Sequence, residues 1–239
     1  MEWIEIKGSL GEQMLRYSLA LSRHARGVEV GVEGQLQPLH KLFPALPQLP
    51  GRQVGIAGRL RSLIAPAGVP AGDAPWLSHE VVERLGDAAG DYFTLAPEAV
   101  PACFAGIAAK LQGENTVAVH VLRPGKDSCT CTPDYYNWAI AGMSQWLGDV
   151  RLVVITDNLS LTRRCLHTGD VPVEWVELPR QHHRLIFHLL RQARHCIACD
   201  SMESWWGAWL NADPDKIVVV PKTLPTALIP YYWTAVPVT

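Results

Sequence analysis

Three β-rich runs in the second half of this 239-residue chain each end in a cluster of polar residues, and helix-like segments separate them. The first is Thr116 to Val121, followed by Arg123-Pro124-Gly125-Lys126-Asp127. The second is Arg151 to Ile155, followed by Thr156-Asp157-Asn158. The third is the apolar stretch Cys196 to Cys199, followed by Asp200-Ser201. Between them, Asp134 to Leu147 and His183 to Arg194 read as helices. Trp138, Ile140, Ala141 and Met143 are the core candidates of the first. Val173 to Val176 and Ile217 to Val220 add strands, and Ser204 to Leu210 adds a helix. Strand and helix in alternation predict an α/β fold with a parallel sheet. In such sheets ligands bind beyond the carboxyl ends of the strands, where these polar turns lie.

The amino-terminal part opens the same way. Trp3 to Ile6 is strand-like, Gly8-Ser9-Leu10-Gly11 is a turn, and Gln13 to Ala25 carries Met14, Tyr17, Leu19, Ala20 and Leu21 at near-helical spacing. Val28 to Val30 supplies a next strand. From Gln35 to Gly72 six prolines and several glycines predict loops, with a short strand near Val54 to Ala57. Pro97 to Leu111 reads as a helix. Two domains are expected, residues 1–115 and 116–239.

Hydrophobic residues make up 48% and charged residues 18%, with a net charge of −2. That balance gives no global electrostatic case for nucleic acid. The start, Met-Glu-Trp-Ile-Glu-Ile-Lys-Gly, carries no export signal, and no apolar run approaches the ~20 residues that cross a bilayer. A cytoplasmic protein, at most peripheral to a membrane, is expected. The pairs Cys129/Cys131 and Cys196/Cys199 could hold zinc as four thiolates. The favoured reading takes Cys196 and Cys199 as small hydrophobes of a buried strand, with reduced thiols and no metal.

Several blocks resemble the bacterial α-1,2-fucosyltransferases, glycosyltransferase family 11. Gly8-Ser9-Leu10-Gly11-Glu12-Gln13-Met14 is similar to G-G-L-G-N-Q-M. The stretch from His120 is similar to H-x-R-R-G-D, and Asp134-Tyr135-Tyr136-Asn137-Trp138-Ala139-Ile140 to D-Y-Y-x-x-A-I. Ile155-Thr156-Asp157-Asn158 resembles F-S-D-D. Ser204-Trp205-Trp206-Gly207-Ala208-Trp209-Leu210 matches the most specific block, S-W-W-G-A-W-L. The resemblance implies two Rossmann-like lobes of the GT-B type, with GDP-fucose bound mainly by the C-terminal lobe. It further implies metal-independent, inverting transfer of fucose to a galactose 2-hydroxyl of a glycan or lipid-linked oligosaccharide.

Under that resemblance His120 contacts the nucleotide, Arg123 and Ser204 hold the diphosphate, and Asp157, Ser201, Gly8 and Gly11 complete the donor site. A leaving diphosphate gathers negative charge, so without a metal it needs arginine and fixed donors. Asp127 and Glu12 are the candidate bases. The plain alternatives are a solvated loop acid for Asp127 and an incompatible substitution for Glu12. Ser201, Ser204 and Asp157 have alternative readings as helix caps. The three tryptophans read as packing, and His182, His183 and His188 as a solvated helix face. The chain departs from the family at Glu12 (usually Asn), Leu122 (Arg), Asn158 (Asp), Ile186 (Asp) and Asp200-Ser201-Met202-Glu203 (N-S-S-F). These changes open a second reading, a catalytically silent relative that binds a sugar nucleotide, a glycan or a partner transferase.

Overall fold

The computed structural model describes residues 1–52, 78–122 and 129–238. The expected strand near Val54 to Ala57, and both Arg123 and Asp127, lie outside them. The chain divides into two compact units, Met1–Val100 and Pro101–Thr239. The division falls earlier than residue 115, because the helix Cys103–Leu111 buries Phe104, Ile107 and Leu111 within the second unit.

In the first unit β1 (Glu2–Ile6), β2 (Val30–Gly34) and β3 (Gly51–Arg52) form a parallel sheet in the order β1-β2-β3. Helix α1 (Leu10–His24) starts three residues before the sequence suggested, because Ser9-Leu10-Gly11-Glu12 is a capping box. The Ser9 hydroxyl accepts from the Glu12 N–H at 3.3 Å, and Glu12 Oε2 accepts from the Ser9 N–H at 2.8 Å. Gly8 ahead of it has φ +91°, and a Cβ there would lie 2.0 Å from Glu12 Oε2. Only glycine fits that turn.

Within the proline-rich segment the described residues up to Arg52 include regular structure. Helix α2 (Leu36–Leu42) tolerates Pro38 because the first-turn N–H groups need no helical partner. Tyr17, fully buried on α1, donates to the Pro47 carbonyl at 2.9 Å, and Phe43 packs edge-on against Phe93.

The second unit is a six-stranded parallel sheet in the order β6-β5-β4-β7-β8-β9. The strands are β4 (Thr116–Val121), β5 (Arg151–Thr156), β6 (Val173–Glu177), β7 (His195–Ile197), β8 (Val218–Pro221) and β9 (Thr234–Val236). Every residue of β4 is buried, as a central parallel strand covered on both faces requires. Helix Pro133–Leu147 begins with Thr132 as N-cap and proline in its first turn. It buries Tyr135, Tyr136, Ala139, Ile140 and Met143. Of the four expected core positions Ile140 and Met143 are buried, while Trp138 is 72% exposed and Ala141 is exposed too, their places taken by Tyr135, Tyr136 and Ala139.

Tyr135 shows why. Its hydroxyl donates to the Ala198 carbonyl just beyond β7 at 2.5 Å, which holds this face of the helix against the sheet. The expected helix over 183–194 is shorter: a 3-10 turn, Arg180–Leu185, leads into helix Ile186–Leu190. Among the described residues no helix is long and apolar enough to cross a membrane.

Helix Met202–Leu210 carries the tryptophans. Trp205 and Trp206 are fully buried, and Trp205 Nε1 donates to the Leu228 carbonyl at 2.6 Å, so they are packing residues. Gly207 faces Leu190, where an added Cβ would meet the Leu190 Cβ at 2.4 Å and the Phe187 Cα at 3.1 Å. Gly207→Ala is expected to lower stability by about 1–3 kcal/mol. The measurement is the urea midpoint at unchanged slope.

Candidate functional site

In the second sheet the strand sequence turns back between β4 and β7: β5 and β6 lie to one side of β4, β7 to β9 to the other. That reversal is a topological switch point, and the carboxyl ends of β4 and β7 flank it. His120 is the penultimate residue of β4, and Cys199-Asp200-Ser201 follow β7. The sequence-predicted residues His120, Ser201 and Ser204 therefore gather at one end of this sheet.

His120 is 1% exposed. Its Nδ1 is 3.3 Å from Cys199 Sγ, and its ring stacks on His183 at 5.9 Å with planes 23° apart. Nε2 makes no hydrogen bond among the described residues, so one ring nitrogen remains for a ligand or for a group outside them. His183 is buried and its Nε2 lies 2.9 Å from the Leu178 carbonyl. His188 stacks on Phe104, and burial holds its pKa below the usual histidine value. The histidine group is thus not a solvated helix face: the 3-10 turn rolls His183 inward against β4.

Capping accounts for several polar residues. Ser201 is the N-cap of Met202–Leu210, its hydroxyl accepting from the Ser204 N–H at 3.1 Å. Ser204 is fully buried, and its hydroxyl accepts from the Cys199 N–H at 3.2 Å, which pins the β7 exit to the helix. At the end of β5 it is Asn158, not Asp157, that caps helix Leu159–Cys165, accepting from the Leu161 N–H at 3.1 Å. Asp157 stays partly exposed in the turn.

Leu122, where the resembled family carries arginine, is 3% exposed and belongs to the apolar core with Tyr135, Tyr136 and Ile197. In the first unit Glu12 is engaged in the capping box and Gly11 is buried in the first turn of α1. The carboxyl ends of β1 and β2 open there on a cleft lined by Lys7, Gln13, His40, Lys41 and Arg52.

Asp200 is the residue that motif reading passed over. Its Oδ2 accepts from the Thr130 N–H at 2.8 Å, the Thr130 hydroxyl at 2.6 Å and the Thr223 hydroxyl at 3.3 Å. Burial raises its pKa, but hydrogen bonds from Thr130, Cys129 and Cys131 outweigh it and hold the carboxyl below the usual range. The four-thiolate set weighed from sequence does not form. Cys196 and Cys199 differ by an odd step along an extended chain, so Cys199 joins Cys129 and Cys131 in one core and Cys196 faces away. Burial pushes the Cys196 thiol up to about 12.

No protein-family model matches the chain. It is 26% identical over 121 residues to the O-antigen biosynthesis glycosyltransferase WbnK of Escherichia coli, covering 46% of this chain and 39% of that one. The chain thus spans about two fifths of that relative's length. Among solved structures it is similar to E. coli ADP-heptose LPS heptosyltransferase II, with a TM-score of 0.51 at 13% identity over 99% of this chain and 90% of that one. It is also similar to the fucosyltransferase NodZ from Bradyrhizobium, TM-score 0.51 at 11% identity over 87% and 92%. The fold is therefore α/β with parallel sheets, of the GT-B glycosyltransferase kind expected from the sequence.

Ser204→Ala removes the acceptor of a buried N–H and is expected to cost about 1–3 kcal/mol. Thermal or urea unfolding checks this, and an unchanged midpoint would mean that the Cys199 N–H finds another partner.

Proposed function

We propose that the chain is an inverting glycosyltransferase that takes a sugar nucleotide, GDP-fucose by preference, at the carboxyl ends of β4 and β7. The acceptor is a hydroxyl of a glycan or lipid-linked oligosaccharide. The observation that carries this reading is the convergence of His120, Ser201 and the amino end of Met202–Leu210 on the switch point of a parallel sheet. That is where such sheets bind nucleotides. The likeness in fold to a heptosyltransferase and a fucosyltransferase, and in part of the sequence to WbnK, supports it.

In this reading His120 contacts the nucleotide through Nε2. Arg123, with Ser201 and the helix terminus, receives the diphosphate as its charge grows. Ser204 shapes that terminus from beneath. Asp127 takes the proton of the acceptor hydroxyl as its oxygen attacks the anomeric carbon from the face opposite the diphosphate. The bond to the leaving diphosphate breaks as the new glycosidic bond forms, with no metal at the phosphates. Gly8 and Gly11 set the turn that starts α1, and Asp157 stands at the neighbouring strand end.

A second reading, a silent relative that only binds, is favoured by one observation: position 122 is core, so the family's first arginine has no counterpart there.

Calorimetric titration with GDP-fucose, GDP-mannose, ADP-heptose and GDP, without added metal, tests the donor. GDP-fucose and GDP are expected to bind, and Arg123→Ala to weaken both at least about tenfold. No binding of any of the four would overturn the donor site, and binding without turnover on any acceptor would select the second reading. Glu12→Gln separates cap from base, since glutamine can still close the box. Stability and turnover are expected to be unchanged; loss of turnover at full stability would assign the base to Glu12.

A further inference from the structure

The segment after residue 128 folds back against the exit of β7 and brings together three thiols and a carboxylate. One ligand atom each from Cys129, Cys131 and Asp200 lies within 4.8 Å of the others. Cys131 Sγ is 3.5 Å from Asp200 Oδ1. Cys199 is within hydrogen-bonding reach of Cys129 and touches His120 Nδ1 at 3.3 Å. All three cysteines are buried at 3% exposure or less, and none is in a disulfide.

Buried thiols alone are ordinary core. Two observations go further. Asp200 is held in a fixed orientation, with Oδ2 tethered by Thr130 and Thr223 and Oδ1 turned to the thiols. An apolar cluster has no use for a carboxylate aimed into it. The Tyr136 hydroxyl is also buried and makes no hydrogen bond among the described residues, and Tyr136 packs in the same core as Cys129, Cys131 and Cys199.

We propose that Cys129, Cys131, Cys199 and Asp200 bind a thiophilic divalent cation of the zinc class, which staples the 129–132 segment to the turn between β7 and helix Met202–Leu210. Tetrahedral zinc sets its sulfur and oxygen ligands roughly 3.5–3.8 Å apart, so Cys129, Cys131 and Asp200, whose ligand atoms lie within 4.8 Å of one another, close by about 1 Å, and Cys199 turns in from the same core as the fourth ligand. Binding displaces the three thiol protons, and the ion takes up the thiolates and the carboxylate. The supporting shell is in place: Thr130 and Thr223 orient Asp200, His120 Nδ1 can donate to the Cys199 thiolate, and the Tyr136 hydroxyl gains a thiolate acceptor. Four protein ligands leave no open position, so the ion is structural and takes no part in chemistry. The proposal does not rest on the donor reading.

The test uses the untagged full chain, reduced and stripped by chelator, then titrated with Co²⁺ and with Zn²⁺. The expected result is about one equivalent of Co²⁺ with thiolate charge-transfer and tetrahedral visible bands, displaced by Zn²⁺, and a higher melting temperature. Asp200→Asn and Cys131→Ser should each weaken binding at least about tenfold, and Cys103→Ser, on an exposed helix position, should not. Absence of the cobalt bands, or equal affinity in all three variants, would overturn the site. So would a native thiol count showing that these cysteines pair as a disulfide. If Cys131→Ser fails to fold, Asp200→Asn and the wild-type cobalt spectrum still decide the matter.

Discussion

A strand that is hydrogen-bonded on both edges and covered on both faces can present polar groups only at its ends, and β4 is such a strand. Its neighbours are parallel, so each connection must return across a face of the sheet before the next strand begins. All six carboxyl ends then meet at one edge. His120, Thr156, Asp200 and Ser201 collect at that edge, while Thr116 and His195 stand at the amino ends of β4 and β7.

At that edge two demands compete for the same side chains. Helix termini need acceptors, and Ser201, Asn158 and Thr132 supply them to their own backbones. A ligand needs donors and charges that are not already engaged. The structure resolves the competition by depth: Ser204 is sealed beneath the helix start, Ser201 is partly open above it, and Asp157 is left in the turn while Asn158 caps. Asp200 takes a third course, because donors from two loops hold it in one orientation.

Much of this frame is legible in the sequence. The runs at 116–121, 151–155 and 173–176 are legible as strands, the first two because mostly apolar, β-branched residues stop at polar turns, and the observed strands match them to within one residue. The helix read from Asp134 starts one residue earlier, at Pro133, because Thr132 caps it. The face of that helix is legible only in part, at Ile140 and Met143. Aromatic residues lie on two adjacent stripes, and the choice falls to Tyr135, whose hydroxyl finds a carbonyl more than sixty residues away. The helix expected after His183 is cut short for a similar reason, since the imidazole turns inward to β4 and the Leu178 carbonyl. The cluster around Asp200 is invisible for the same cause at greater distance. Cys129 and Cys131 meet Cys199 and Asp200 only through the sheet, and spacing along the chain points instead to Cys196.

The capping box at the start of α1 has a consequence for recognition. The amino end of a helix carries partial positive charge and unpaired N–H groups, and in many folds it receives an anion. Here Glu12 turns its carboxylate back onto that end. A phosphate or carboxylate approaching the glycine turn would meet like charge, whereas a neutral hydroxyl would meet an acceptor. In the first unit the cations beside that turn are themselves answered by carboxylates, Lys7 by Glu5 and Arg52 by Glu33, so the neighbouring cleft presents both signs of charge.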